Sequence, residues 1–375
     1  MRFPLLAALF LVGLAACSSS VPPTTPSASP TPGATPRPTP SLSPAVSPLT
    51  LADVFPPRDL SAYDLDGLDK NGSPRLRTVI ATGDVIPARY TDVTIRNQGD
   101  DFLYPIAATR DITAHADLTV INLEAPLIEG CPYHDEGFTF CGRPGFVKAL
   151  EAAGVDVVTL ESNHIGNYGP DGIAETKRHL GPPDVSFPIA WADRNTPALV
   201  DVRGVKFGFL AFNGVGETID RQAMVAQIKA LHPQVEVLAV AFHWGAEYVS
   251  IPQAAPGIAE DDPVEIAHLA VDAGADLIIG NHPHWVQAVE LYKGKFIAYA
   301  HGNFIFDQMW SYETRVGVIG RYTFYDDQLI GVEFIPTLIE DYAQPRPLEG
   351  AERQAVLDGM KAASEQLAAS LSASP

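Results

Sequence analysis

The stretch LIIGNHPHWVQ (277–287) opens as an apolar strand and then sets Asn281, His282 and His284 at its end. Pro283 restricts the residue before it to extended backbone. If the chain stays extended, the two imidazoles therefore project from the same side, which is a chelating arrangement. Taken alone, the pair reads more readily as polar loop residues satisfied by backbone carbonyls. The rest of the chain has to decide between the two.

Four other apolar runs end in the same manner. TVIATGDVI (78–86), DLTVINLEAPL (117–127), VDVVTLESNH (155–164) and VEVLAVAFHWG (235–245) read, with ADLIIGNHPH (275–284), as buried strands. Between them PGFVKALEAAG, GIAETKRHLG, RQAMVAQIKALHP and DPVEIAHLAVDAGA read as amphipathic helices. The last has a start signal: Asp262 at the cap, Pro263 at the first position and Glu265 three residues after the cap. Hairpins are expected to turn at Arg203-Gly204 and Lys293-Gly294, and antiparallel strands to follow Arg315. This is an α/β chain with two packed sheets flanked by helices.

The carboxyl end of each buried run carries groups that bind metals or move protons: Asp84, Asn122 with Glu124, Asn163 with His164, His243, and His282 with His284. In parallel α/β sheets the ligand site lies off the carboxyl ends of the strands, so residues scattered along the chain would meet there. Carboxylates, imidazoles and an amide oxygen form a set suited to Mn, Fe or Zn. They are more ligands than one tetrahedral ion uses, which admits one ion or a two-metal centre sharing a carboxylate.

The N-terminus gives an address. MRFPLLAALFLVGLAAC has one basic residue, an apolar run and small residues leading into Cys17, the layout of a signal peptide. Its ending LAAC resembles a bacterial lipobox, which implies that Cys17 carries lipid and that the protein is an extracytoplasmic lipoprotein held to a membrane. Residues 18–50 are a Ser/Pro/Thr stalk with too little apolar surface to order itself. The expected globular domain spans 51–345, and 346–375 reads as a terminal helix fading into a Ser/Ala tail. With Cys17 lipidated, Cys131 and Cys141 remain as an even pair in CPYHDEGFTFC, and a disulfide between them is expected. A zinc site on those thiols is the rival reading, disfavoured because the chain has no CxxC. The formal net charge of −20 repels polyanions and, with no basic stripe, argues against nucleic acid as a partner.

ATGDVI, INLEAPL, ESNHIGNYGPDGIAET, AFHWGAEY, IIGNHPHWVQAVE and AYAHGNFIFDQ, in this order, resemble the CapA family, named for poly-gamma-glutamate capsule biosynthesis. That family is similar in fold to the calcineurin-like metallophosphoesterases, which implies a four-layer α/β/β/α sandwich. The resemblance implies metal binding by Asp84, Glu124 (as a bridging carboxylate), Asn163, His243, His282 and His284. It also implies a proton-donating role for His164, with Asn122, Asn167, Glu247 and Asn303 lining the site. Envelope polymer and other capsule biosynthesis proteins are the partners it suggests. Two positions depart from the pattern. Ile86 stands where the phosphoesterases have a ligand histidine, and Asn167 stands where an aspartate would orient and charge His164. The departures leave two roles open, a metal-dependent hydrolase or a non-catalytic polymer-binding or assembly factor.

Overall fold

The structure, a computed structural model, describes residues 47–373 apart from 62, 70, 71 and 182–188. The leader, Cys17 and nearly all of the stalk lie outside the described residues. Among the described residues no helix is long and apolar enough to cross a membrane.

The first half of the chain forms β1 (Leu76–Val85), α1 (Tyr90–Asn97), α2 (Arg110–Thr113), β2 (Leu118–Leu123), α3 (Val147–Ala152), β3 (Val157–Thr159), α4 (Gly169–Leu180) and β4 (Ala190–Ala192). Next come β5 (Ala198–Val202), β6 (Val205–Asn213), α5 (Arg221–Leu231), β7 (Val237–His243), α6 (Pro263–Ala273) and β8 (Leu277–Asn281). The remainder is β9 (Val289–Tyr292), β10 (Lys295–Ala298), β11 (Asn303–Ile305), α7 (Tyr312–Arg315), β12 (Val316–Tyr325), β13 (Gln328–Glu340), β14 (Gln344–Pro347) and α8 (Gly350–Ala373).

Two mixed sheets result. One runs β14-β13-β12-β1-β2-β3-β4 with β11 beside β1, and the other runs β5-β6-β7-β8-β10-β9. β1 to β4 are mutually parallel, as are β6, β7, β8 and β10. Side-chain parity builds the layers. Val79, Ala81, Val120 and Val157 of the first sheet meet Phe207, Phe209, Ala239 and Ile279 of the second in one core. Residues of opposite parity face outward onto helices: Ile80, Ile121 and Val158 onto Ile95, Phe146 and Leu180, and Val240, Phe242 and Ile278 onto Met224, Ile228, Ile266 and Ala270. Strands covered on both faces need continuous apolar runs, which is why the sequence shows runs instead of alternation. Each fully buried aromatic or aliphatic side chain contributes about 1.5–3 kcal/mol. The layering is helix, sheet, sheet, helix, as expected.

Both hairpins turn where the sequence puts them, with φ of 51° and 84° at Arg203-Gly204 and 50° and 79° at Lys293-Gly294. Other details differ. The run 155–164 is strand only over β3 and becomes a loop before Asn163. Asp262 caps α6 by accepting the Val264 N–H at 2.8 Å, but Glu265 pairs with Arg221 at 3.1 Å and not with the cap. The C-terminal helix does not fade at its Ser/Ala end; α8 continues to Ala373. Leu357 and Met360 seat it on the core between the sheets, Ala363 and Leu367 on the second sheet's outer face, and Ser364 Oγ accepts the Val289 N–H at 2.9 Å.

Candidate metal centre

The carboxyl ends of β1, β2, β3, β7 and β8 come together where the two sheets meet. Asp84 lies opposite Asn122 on β2 and opposite Asn303 on β11. Glu124 follows β2, its N–H donating to the Val85 carbonyl at 3.0 Å. His243 is the last residue of β7, paired with Asn281 at the end of β8. Gly83 permits this closeness. A Cβ there would lie 2.0 Å from the Gly302 carbonyl oxygen, so only glycine lets the Asp84 and Asn303 backbones run side by side.

The histidines after β8 arrive by a different route from the extended one expected. His282 has φ 95° and His284 φ 56°, so the chain leaves the strand at Asn281 and both residues take left-handed backbone. Such conformations cost about 1–3 kcal/mol each and persist where the surroundings impose them. Here the His282 N–H points at the Asp84 carboxylate, 3.3 and 3.4 Å from its oxygens, and the Pro283 carbonyl accepts the Tyr248 N–H at 2.9 Å. The two rings still converge, with centroids 5.7 Å apart, and His282 lies 4.8 Å from His243.

Asn122 donates to Asp84 Oδ1 at 2.9 Å. His284 Nδ1 lies 3.1 Å from Asp84 Oδ2 and 2.9 Å from Asn303 Oδ1. Asn303 gives its amide hydrogens to Gln308 Oε1 and the Thr314 carbonyl, which aims its oxygen at the imidazole. Asn163 Oδ1 is 2.8 Å from His243 Nε2. Against this web stand two residues whose side chains make no hydrogen bond. Both carboxylate oxygens of Glu124 and both ring nitrogens of His282 are buried and make no hydrogen bond; Glu124 Oε1 lies 3.3 Å from His243 Nε2, but that nitrogen is engaged by Asn163 Oδ1. Orphaned buried polar atoms are costly, and four in one place call for a ligand.

Electrostatics says the same. Burial, then the Asp84 charge, raises Glu124 well above the usual carboxylate range. Burial pushes His282 well below the usual imidazole range and His243 down to about 4. Burial also opposes charge on His284, yet its hydrogen bond to Asp84 and the charges of Glu124 and Asp84 win and raise it to about 9. Asp84, despite burial, is held low by that same partner. The residues form overlapping sets, Asp84/Glu124/His284, Glu124/His243/His282 and Glu247/His282/His284, each with ligand atoms within 4.8 Å of one another. Glu124 belongs to two of them. The donor set fits one or two divalent ions. Glu247, which is not buried, is grouped with His282 and His284.

His164 is half-buried and outside these sets. Its Nδ1 is 3.0 Å from Asn167 Oδ1, and burial lowers it to about 4, the Asn167 bond opposing only in part. Ile86 lies in an apolar wall with Ala88, Ala125, Phe140 and Phe306. Cys131 and Cys141 form the expected disulfide, so the nearby His134 gains no thiolate partners. Sequence reasoning missed Phe140, Tyr248 and Arg89. Phe140 packs on His164 at 4.3 Å, the Tyr248 ring lies 6.3 Å from His284, and Arg89 pairs with Asp307. A ring or a lone arginine carries no site spacing to find it by. It also missed a polar cavity of about 630 Å³ beside Asn163, lined by Glu161, Lys177, Asp193 and Arg194.

Residues 78–308 match the family described as bacterial capsule synthesis protein PGA_cap. Capsule biosynthesis protein CapA of Bacillus anthracis is 26% identical over 298 residues, covering 73% of this chain and 70% of that protein. PGA biosynthesis protein CapA of Bacillus subtilis (strain 168) is 26% identical over 287 residues, covering 71% of this chain and 72% of its own. Among solved structures, a putative 5'-nucleotidase from Staphylococcus aureus in complex with alpha-ketoglutarate aligns with a TM-score of 0.44 and 15% identity, over 76% of this chain and 58% of that one.

Proposed function

The chain belongs to the bacterial capsule synthesis protein family PGA_cap, and from that premise we propose that it is an accessory protein of envelope polymer synthesis, of the poly-gamma-glutamate type, with a divalent-metal hydrolase site. The polymer is suggested by the names of its CapA relatives. The observation that carries the hydrolase reading is the pairing of unbonded Glu124 and His282 within overlapping ligand sets.

Asp84, Glu124, Asn163, His243, His282 and His284 would hold one or two ions of the Mn, Fe or Zn class. A metal there would polarise a phosphoryl or carbonyl oxygen and activate water. It would also supply the local positive charge that a chain of net charge −20 needs against an anionic polymer. His164, anchored through Nδ1, keeps the Nε2 lone pair to take the proton that the attacking water releases and pass it to the leaving group. Ile86, Phe140 and Phe306 keep water from one side. Asn167 holds the imidazole but adds no charge to it.

The test is elemental analysis of the purified protein, then turnover of phosphate esters and gamma-linked glutamate oligomers with the metal found. His164→Ala should keep its metal and lose about 10²–10⁴-fold in kcat. Full metal occupancy with no turnover of either substrate class would favour the second reading, an assembly or polymer-binding factor, to which Ile86 and Asn167 lend support.

Anchoring through a lipid on Cys17, with 18–50 as a stalk, completes the proposal and would place the domain outside the cytoplasm. Cys17→Ser should move the protein from the membrane fraction to the soluble fraction or stall its processing. Wild-type protein already wholly soluble in the medium would refute the anchor.

A further inference from the structure

We infer that the disulfide-closed loop 131–141 is the positioning device for His164, acting through Phe140. The residue touches the His164 assembly twice. Its backbone N–H donates to Asn167 Oδ1 at 2.6 Å, and its ring packs on the imidazole with centroids 4.3 Å apart. The first contact decides chemistry. A backbone N–H needs an acceptor, so it fixes which end of the Asn167 amide is oxygen. That oxygen also faces His164 Nδ1, so Nδ1 must carry the hydrogen and donate. Nε2 is left with its lone pair. A free imidazole prefers the opposite tautomer, so the loop selects the less favoured form and holds the plane in which Nε2 is presented.

Phe140 is in turn held on both sides. It is buried with Phe306 and Ile86, and the next residue, Cys141, is bonded to Cys131. Gly142 exchanges backbone hydrogen bonds with the segment after β2, donating to Pro126 O at 2.9 Å and accepting from Ile128 N at 3.0 Å. On the other flank the Arg89 guanidinium lies 4.9 Å from the Phe140 ring centroid and donates to the Gly137 carbonyl at 3.1 Å. Between the cysteines the loop has no helix or strand, and Phe138 is 76% exposed. Such a segment keeps its shape by its ends and its few clamps, which makes the crosslink and Arg89 the means by which Phe140 stays against His164.

The functional consequence rests on the reading of His164 as the proton-handling group, but the geometry does not, and the experiment separates them. Nitrogen-labelled histidine NMR of the purified protein, exchanged into diamagnetic zinc, reports the tautomer of each ring. Wild type should show His164 almost wholly as Nδ1–H. Phe140→Pro, which removes the donating N–H that alanine would keep, should turn it into a mixture containing Nε2–H, while His301, fixed by the Gly280 carbonyl and the Tyr322 hydroxyl, keeps its tautomer as internal control. If circular dichroism shows the variant unfolded, a phosphine that reduces the disulfide of folded wild type, itself becoming the phosphine oxide, should produce the same shift. A His164 that is Nε2–H in wild type, or that stays Nδ1–H in the folded variant, overturns the inference. A tautomer shift in a protein without turnover upholds it and removes only the hydrolase reading.

Discussion

His282→Ala should leave the protein folded and empty of metal. The buried ring has no hydrogen-bond partner on either nitrogen, so in the metal-free protein it stabilises nothing by polar contact. Deleting it trades a cavity against relief of two unsatisfied atoms worth about 1–3 kcal/mol each, terms that nearly cancel. The metal-bound protein has no such compensation. Groups that merely hydrogen-bond to a metal's ligands are worth about 10–100-fold in affinity, so loss of a ligand should cost more than about 100-fold. His284→Ala should also lose metal, but with a lower melting temperature without it, because Asp84 then keeps only the Asn122 amide and a long backbone contact. Metal content by mass spectrometry and thermal melts with and without chelator would show the two signatures. Full occupancy in both variants, with early melting alone, would make the rings structural and dismantle the metal centre.

That contrast could not be read from GNHPH. The convergence of Asp84, Glu124, His243 and the two late histidines was legible, because parallel strands buried on both faces announce themselves as apolar runs and their polar ends stand out. The route into the site was not. The rule that Pro283 extends its neighbour gave way to tertiary demand, since His282 must turn its N–H to Asp84, and one buried carboxylate outweighs a local preference. Phe140 stayed hidden for another reason. Its role runs through a backbone N–H, which every residue except proline owns and no motif can mark. The terminal helix was undervalued because Ser and Ala look like a tail until Leu357, Met360 and Leu367 are seen to share one buried side.

Glu124 gives the sharpest test, since one atom exchanged should move the protein in opposite directions with and without metal. The carboxyl is fully buried, both oxygens are unbonded, and Asp84 stands near enough to push its proton affinity up further. Without metal, Glu124 either carries a charge that His284, already paired with Asp84, offsets only in part, or spends free energy holding a proton. Glu124→Gln removes the charge with almost no change of shape, so the metal-free protein should gain about 1 kcal/mol or more, read as a rise of a few degrees in Tm. With metal the sign reverses. An ion present at a thousand times its dissociation constant stabilises a fold by about 4 kcal/mol. An amide that donates as well as accepts, in a position shared by two ligand sets, should forfeit most of that. The wild-type and variant melting curves should therefore cross as metal is added. If Glu124→Gln destabilises the chelated protein and leaves the metal-induced rise intact, Glu124 is an ordinary structural carboxyl, and the sharing of one carboxylate between two ions fails with it.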